Sequence, residues 1–191
     1  MPTPRGDLRR QQIVEAALAE IRTEAVADVQ LAAIAERAGM KASHVLYYFG
    51  SRDDVLIAAV AHAEQQLAAD RAERLRAIDD PMERLAAFVD MYLPDDRHDP
   101  VWKLWIEGWA RSASRGEFGE VGSEAHERWS ADLAEALEYA GASLPDGVAT
   151  VTRRLIMLLD GIAIHVLAGH VTPDEAAAIA IGSIRSELRH Q

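Results

Sequence analysis

Hydrogen-bonding, basic and aromatic side chains are concentrated in one short stretch of the chain, residues 41–52. Ser43 and His44 can donate or accept hydrogen bonds at the edges of DNA bases. Tyr47, Tyr48 and the arginine that closes the stretch follow one to two helical turns later, and such side chains bond the sugar-phosphate backbone. Either tyrosine could instead be a half-buried structural residue. The stretch predicts contact with nucleic acid.

Charge is divided unevenly along the chain. The net charge is −11, yet residues 1–52 hold seven Lys or Arg against six Asp or Glu and carry +1, which leaves −12 for residues 53–191. An acidic body repels DNA, so this distribution confines any DNA contact to the amino-terminal part.

Three of the chain's 4 tryptophans fall on one predicted helix. Trp102, Trp105 and Trp109 have the spacing i, i+3, i+7, which places them on one face, and Trp129 follows on the next helix. Aromatic side chains line small-molecule pockets. A stripe of this kind is also common in a hydrophobic core, so both interpretations stay open.

Two acidic residues could add charge to such a pocket. Asp160 interrupts an apolar helix face and needs a partner, which could be a backbone donor, Arg111, an interface residue or a cationic ligand. Glu107 lies within the tryptophan-rich helix. Aromatic rings with a carboxylate suit an amine or quaternary ammonium ion through cation-π contact. The predicted ligand-binding residues are Phe88, Trp102, Trp105, Glu107, Trp109, Trp129 and Asp160.

The elements that must position these residues are helices. Apolar residues recur at helical spacing and no strand pattern is visible, which predicts an all-α protein of about nine helices. The first four are expected at residues 7–24, 31–38, 42–49 and 52–78. A capping residue before proline marks three later starts, at Asp80, Asp99 and Thr172. A loop is expected at residues 112–122.

The second and third helices have the steric pattern of a helix-turn-helix. A small Ala35 permits close crossing, Gly39 permits the tight turn, and Val45 with Phe49 holds the third helix against the others. In this motif the amino-terminal end of the third helix enters the major groove. Leu46 could make an apolar contact with a thymine methyl group or face the core, and we expect the core.

The same segment resembles the TetR family of bacterial transcriptional regulators. The resemblance spans Arg10 to about Leu56 through "RRQQIVEAALAEI", "LAAIAERAGM" and "LYYFGSRDDVL". It implies a homodimer with three amino-terminal DNA-binding helices and a helical carboxy-terminal domain that binds a small molecule. "LIMLLDGIAIHVLAG" and the tryptophan-rich helix look like the subgroup that includes the choline-responsive repressor of betaine synthesis.

Carried onto this sequence, the resemblance implies base contacts from Ala42 to His44 and phosphate contacts from Tyr47, Tyr48 and Arg52. The chain departs from the family where a Ser or Thr usually caps each short helix, because Gln30 and Lys41 stand there and cap poorly. The predicted DNA-binding residues are Gln30, Lys41, Ala42, Ser43, His44, Tyr47, Tyr48 and Arg52. The predicted domains are residues 1–51 for DNA, and residues 52–191 for the ligand and dimerisation.

The last two predicted helices indicate dimerisation. Residues 148–168 are apolar on more than one face, and the final helix is rich in alanine and isoleucine, so a second subunit is expected to cover them. A central helix buried within a monomer is the alternative. A two-fold dimer predicts a palindromic operator with half-sites about 34 Å apart. We expect the ligand to shift the long helix at residues 52–78 and so change the separation of the two DNA-binding heads.

Several classes of protein are disfavoured by the sequence. The absence of Cys excludes disulfides and thiolate metal sites, and the longest apolar stretch, residues 155–159, is too short to cross a membrane. No metalloprotease, nucleophile-elbow or phosphate-loop motif is present, and His165 and His170 are five apart, the wrong helical spacing for one metal ion. We therefore expect a cytoplasmic, ligand-responsive repressor that is not an enzyme and has no cofactor. A helical protein-interaction module, or an activator without an inducer, is the alternative.

Overall fold

The computed structural model describes residues 4–112, 116–141 and 144–189. Within these ranges it contains helices and no strands, which confirms the all-α prediction of about nine helices. The helices are α1 (Pro4–Thr23), α2 (Leu31–Arg37), α3 (Ala42–Phe49), α4 (Arg52–Arg76), α5 (Pro81–Tyr92), α6 (Pro100–Ser112), α7 (Gly116–Tyr139), α8 (Val148–Leu167) and α9 (Pro173–Arg189).

The three helix starts predicted from a cap before proline are confirmed. Asp80 accepts hydrogen bonds from two backbone amides in the first turn of α5 at 2.8 and 2.9 Å. Asp99 does the same for α6 at 2.9 and 3.0 Å. At α9, the amide of Glu175 donates to the Thr172 hydroxyl at 3.3 Å, while the Glu175 carboxylate accepts from the Thr172 amide at 2.8 Å. This reciprocal pair is a capping box.

The loop predicted at residues 112–122 is wrong in its second half. α7 begins at Gly116, while residues 113–115 lie outside the described ranges. Val121, Ala125 and Trp129 recur every four residues, and the last two are buried. Burial of this stripe stabilises the helix more than the glycines in its first turns weaken it.

The helices form two compact units. The first unit comprises Met1–Gln65 and His98–Gly122, and the second comprises Gln66–Arg97 and Ser123–Gln191. α4 and α7 therefore each begin in the first unit and end in the second. The functional boundary after residue 51 remains a prediction, because packing and function need not divide a chain at the same place.

The first unit has one hydrophobic core, to which α1 to α4 and α6 contribute. Ile13, Ile34, Val45, Leu56 and Leu104 represent these five helices, and each of the five side chains is completely buried. The DNA-binding head predicted from the sequence is thus packed on α4 and α6.

Lys103 of α6 adds a polar connection to the carboxyl end of α1. Its Nζ atom donates to the carbonyl oxygens of Ile21 at 2.8 Å, Arg22 at 3.2 Å and Glu24 at 3.3 Å. These carbonyls lie at the end of α1, where the helix dipole is negative and a cation is favourable.

The second unit is built around α5, α7, α8 and α9. α9 packs on both α5 and α8, and buried side chains such as Leu85, Leu137, Leu155 and Ile184 fill the space between the helices. Among the described helices, none has both the length and the apolar composition that a membrane crossing requires.

Candidate DNA-binding and effector sites

The turn between α2 and α3 has the geometry that the sequence predicts. Gly39 adopts φ +66°, in the region that glycine accepts without steric cost. Ala35 is 2% exposed and Val45 is completely buried, with Phe49 beside the same core. The predicted steric pattern of the helix-turn-helix is confirmed.

This packing leaves one edge of α3 in solvent. Lys41, Ser43 and His44 are exposed and Tyr47 is 83% exposed; these four residues are called the recognition surface below. Tyr48 is half-buried against the head core, with its ring 5.3 Å from that of Tyr47.

The expectation that Leu46 faces the core is wrong. Leu46 is 44% exposed, because Val45 and Phe49, one helical turn apart, form the buried face of this short helix. Leu46 lies about 100° around the helix from Val45, and so it points away from that face.

Neither short helix is capped by a side chain at its amino terminus. Gln30 and Lys41 both have the extended backbone of a capping residue, with φ −102° and −81°, but neither side chain makes a capping hydrogen bond. The two side chains are exposed. The sequence interpretation that they cap poorly is confirmed.

Arg52 has partners within the protein. Its Nη2 donates to the backbone carbonyl of Val26, and its Nη1 lies 3.5 Å from Oδ1 of Asp53. Its Nε is buried and has no hydrogen-bond partner within the described part of the chain. Arg52 therefore ties the start of α4 to the loop after α1, and its contact with DNA remains a prediction.

Arg10 is a residue of the head that the sequence interpretation missed. Its guanidinium lies 4.2 Å from the centre of the Phe49 ring and donates to the backbone carbonyl of Tyr48. Arg10 is exposed, and cation-π contacts at exposed sites contribute about 0.5–1 kcal/mol. Arg10 thus attaches the end of α3 to α1.

The predicted ligand-binding residues divide between the two units. In the second unit, Phe88 and Tyr92 of α5 stack at 5.7 Å, and Trp129 of α7 meets them edge to face at 5.6 and 4.9 Å. These three residues are called the aromatic cluster below. All three rings are buried.

Asp160 of α8 joins the aromatic cluster through Tyr92. The Tyr92 hydroxyl donates to Oδ1 of Asp160 at 2.6 Å, so a tyrosine is the partner that the sequence left open. Burial raises the pKa of the Asp160 carboxyl, whereas the bond from Tyr92 and the charge of His126 act to lower it. The cluster therefore combines aromatic rings with a partly desolvated carboxyl group.

A buried arginine lies over the same cluster. The guanidinium of Arg71 on α4 is 3.6 Å from the centre of the Trp129 ring, and its Nε donates to Oδ2 of Asp132. The residue is 2% exposed, and its Nη1 has no hydrogen-bond partner among the residues that the structure describes. A buried unpaired donor is rare, because its desolvation is not compensated.

The other predicted ligand residues belong to α6 in the first unit. Trp102 and Trp105 lie 6.1 and 6.2 Å from Trp109, as measured between ring centres. Trp102 is buried and Trp109 is 40% exposed. This stripe is one aromatic surface, and its role in binding remains a prediction.

The polar groups of α6 have structural partners. Nε1 of Trp105 donates to Oε1 of the buried Glu64 at 2.9 Å. The Glu107 carboxylate accepts from Arg111 at 2.5 Å, and Arg111 also bonds Asp53 at 3.3 Å. These bonds connect α6 to α4.

Helical spacing could have identified most of the missed residues. Tyr92 is four residues after Phe88 and so lies on the same face. Arg71 lies four residues from both Leu67 and Leu75, and so on the same face of α4 as these two leucines.

The fold and the recognition surface define a class, that of helix-turn-helix transcriptional regulators. Residues 13–59 match the model of the bacterial regulatory proteins of the tetR family, and residues 81–189 match that of the carboxy-terminal domain of BetI-type transcriptional repressors. The chain belongs to the BetI-type repressors of the tetR family. This membership confirms the prediction that the protein is a regulator and not an enzyme.

Individual relatives agree with this assignment. The regulator BetI of Stenotrophomonas maltophilia is 28% identical over 187 residues, which cover 95% of this chain and 94% of that protein. BetI of Burkholderia thailandensis is 30% identical over 158 residues, covering 82% and 80%.

Solved structures share the fold. A putative transcriptional regulator from Saccharomonospora viridis, determined in complex with choline, has a TM-score of 0.83 at 24% identity, covering 92% of this chain and 95% of that one. The multidrug binding protein EbrR, complexed with ethidium, has a TM-score of 0.64 at 24% identity, covering 90% and 96%.

Proposed function

We propose that the chain binds a palindromic operator as a homodimer and that a cationic small molecule, held at the aromatic cluster, releases the DNA. The DNA-binding part of this proposal rests on the recognition surface, in which Ser43 and His44 are exposed on a helix whose opposite face is buried. Ser43 and His44 contact base edges. Lys41 and Tyr47 contact phosphates, which fix the orientation of α3 without reading sequence.

Exposed apolar residues support the homodimer. Met157 and Ile164 on α8 are 65% and 44% exposed, and Ile179 on α9 is 48% exposed. Met157 and Ile164 are seven residues apart and so lie on one side of α8. A second copy of the chain covers this side, and the dimer presents two copies of α3 about 34 Å apart to one face of the DNA.

The aromatic cluster and Asp160 support a cationic effector. Electron-rich ring faces attract a quaternary ammonium or protonated amine, and the carboxylate of Asp160 supplies the opposite charge. Two of the solved structures with this fold, at low identity, hold the organic cations choline and ethidium. The chemistry at the aromatic cluster is suited to ligands of that charge.

The unpaired donor of Arg71 favours an effector that carries an oxygen atom. Its unpaired Nη1 is a buried donor that gains a partner when a hydroxyl or carboxylate oxygen of the effector binds. The positive charge of Arg71 by itself acts against a cation, but Arg71 is paired with the carboxylate of Asp132, which offsets that charge. The proposed effector is therefore a small amine that carries an oxygen acceptor, and Arg71 distinguishes it from a simple ammonium ion.

The position of Arg71 also suggests how effector binding could change operator affinity. Arg71 is on α4, which is one continuous helix from Arg52 to Arg76, so a displacement at Arg71 is transmitted along it. In the first unit, α4 is bonded to α6 through Glu64 and Asp53, and α6 is bonded to α1 through Lys103. The effector lowers operator affinity by as much as it prefers the displaced arrangement of α4.

The proposal is tested with choline and a neutral molecule of the same shape, 3,3-dimethylbutan-1-ol. Affinity is measured by titration of tryptophan fluorescence, and operator release by fluorescence anisotropy of labelled DNA selected from a random pool. Choline is expected to bind at least about tenfold more tightly than the neutral molecule, since only choline gains cation-π contact. Equal affinities would contradict the cationic effector.

The role of Arg71 needs a separate comparison. Tetramethylammonium has the charge of choline but no oxygen, and Arg71→Met keeps the volume of the side chain while removing its donors. We expect the variant to lose the preference for choline over tetramethylammonium that the unaltered protein shows. Circular dichroism establishes that the variant is folded, and an unchanged preference would exclude a contact from Arg71.

A further inference from the structure

The carboxyl end of α8 brings two histidines together. After α8 ends at Leu167, Gly169 adopts φ +72°, which turns the chain back toward the helix. The amide of His170 donates to the carbonyl of His165 at 2.9 Å, and the amide of Gly169 donates to that of Val166 at 2.9 Å. These two bonds form a Schellman motif, which closes a helix end.

The imidazoles of His165 and His170 stand where this motif often has an apolar contact. Their Nδ1 atoms are 3.0 Å apart, and the ring centres are 5.2 Å apart with 46° between the ring planes. Both residues are exposed. A spacing of five residues is wrong for one metal ion only within a continuous helix. Here α8 ends at Leu167, between the two histidines.

We propose that His165 and His170 form a two-imidazole site for one divalent transition-metal ion, Cu²⁺, Ni²⁺ or Zn²⁺. Imidazole nitrogens bind such ions at about 2.0–2.1 Å, so two neighbouring ligands stand about 2.9 Å apart at a right angle and about 3.3 Å apart at the tetrahedral angle. The observed Nδ1 separation of 3.0 Å lies between these values. Neutral imidazole is a preferred ligand of this group of metals.

The metal ion takes the place of a shared proton. Without a metal, one Nδ1 donates a hydrogen and the other accepts it, whereas both lone pairs face the ion when it is bound. Water completes the coordination, since no group of three His, Asp or Glu in the described part of the chain is placed to hold a metal.

One neighbouring charge acts against the metal. A guanidinium nitrogen of Arg97 lies 3.9 Å from the position that a Cβ atom on Gly169 would take. A positive charge beside the site weakens the binding of a cation. Arg97→Gln is therefore expected to raise metal affinity several-fold, with both histidines unchanged.

The test is calorimetric titration of the full-length protein, produced without a histidine tag and stripped of metal, with Cu²⁺ and with Ni²⁺. We expect one ion per chain at this site. Either His165→Asn or His170→Asn is expected to lower the affinity at least about tenfold, because one of the two ligands is lost. His98→Asn removes an exposed histidine outside the pair and is the matched control.

A second variant tests the geometry independently of the ligands. Gly169→Ala keeps both imidazoles but disfavours the positive φ of the turn, so it is expected to weaken metal binding several-fold. The paramagnetic resonance spectrum of bound Cu²⁺ is expected to show coupling to two nitrogens, and coupling to one or none would overturn the proposal. So would equal affinity in the unaltered protein and the double His165→Asn, His170→Asn variant. All of these positions are exposed, and circular dichroism checks that each variant folds.

Discussion

Burial raises the pKa of the Asp160 carboxyl, while the hydroxyl of Tyr92 and the charge of His126 oppose that shift. The carboxyl group consequently gains its proton at a higher pH than an exposed aspartate, whose pKa is about 3.9. Below its raised pKa, Asp160 is neutral and attracts no cation. Its contribution to folding has the opposite pH dependence, because the stability it adds is complete below the ordinary pKa and is lost as the pH rises through the raised one.

The affinity for a cationic effector is therefore expected to decrease as the pH is lowered through the raised pKa of Asp160. Fluorescence titration of choline over a series of pH values measures this decrease. Asp160→Asn keeps an acceptor for the Tyr92 hydroxyl but removes the charge, so it is expected to bind weakly without this pH dependence. In His126→Gln the dependence is expected to persist, and its loss there would assign the titration to His126 instead.

A second prediction at the residue scale concerns how His44 and Lys41 contribute to DNA binding. His44→Ala is expected to change the preferred operator sequence and to cost about 1–3 kcal/mol at its best site. Lys41→Gln is expected to weaken binding to all sequences and to reduce the slope of log K against log salt by about 1. Anisotropy titrations at several salt concentrations separate the two effects, and identical salt slopes would exclude a phosphate contact from Lys41. Arg52 is less suited to this test, since its replacement also breaks the bond to Val26.

At the scale of helices, α2 and α3 each lack the stabilising hydrogen bond that a capping side chain would provide at the amino terminus. Gln30 has the extended backbone of a capping residue but provides no capping bond to α2, and Lys41 leaves α3 in the same state. The packing of Ile34 and Val45 in the shared core stabilises both helices instead. Short helices without caps depend on tertiary packing, because isolated helices of this length are unstable in water.

Gln30→Ser is therefore expected to raise the free energy of unfolding by about 0.5–1 kcal/mol, since a serine hydroxyl can accept from an amide in the first turn of α2. The matched control is Gln30→Ala, which is equally short but has no acceptor. Thermal or urea unfolding followed by circular dichroism measures both variants. If the alanine variant gains as much as the serine variant, capping is not the cause.

At the scale of the whole molecule, the proposed palindromic operator requires two chains to associate, so that two recognition surfaces act on one site. The exposed methionine and isoleucines of α8 and α9 are large apolar side chains that a second chain would remove from water. Burial of such side chains contributes about 25 cal/mol per Å² of apolar surface. A dimer formed through them would have two-fold symmetry.

Ile164→Arg is expected to convert the proposed dimer to a monomer, because it places a charge in the apolar contact. Light scattering coupled to size-exclusion chromatography measures the mass. Operator affinity is expected to fall with the loss of the second α3, while circular dichroism remains unchanged. Arg153→Ala, at an exposed position of the same helix, is the control. A variant that remains dimeric would place the interface elsewhere.

The sequence by itself determined the helical class, the helix starts at Asp80, Asp99 and Thr172, and the turn at Gly39. These features depend on local rules, namely the period of the apolar residues, the hydrogen bonds of capping residues and the backbone freedom of glycine. The family followed from the same stretch, since its motif lies within residues adjacent in the chain.

Only the tertiary structure decided which side chains meet across helices. Tyr92 and Asp160 are bonded although they are far apart in the chain. Arg71 of α4 lies over the ring of Trp129 on α7, and these two residues are also far apart in the chain. Helical spacing predicts that the side chains of His165 and His170 point in different directions, but this holds only for a continuous helix. Gly169, with its positive φ, turns the chain at the end of that helix and brings the two rings together. Contacts of this kind depend on the packing of the whole chain, which the spacing of residues along one helix does not contain.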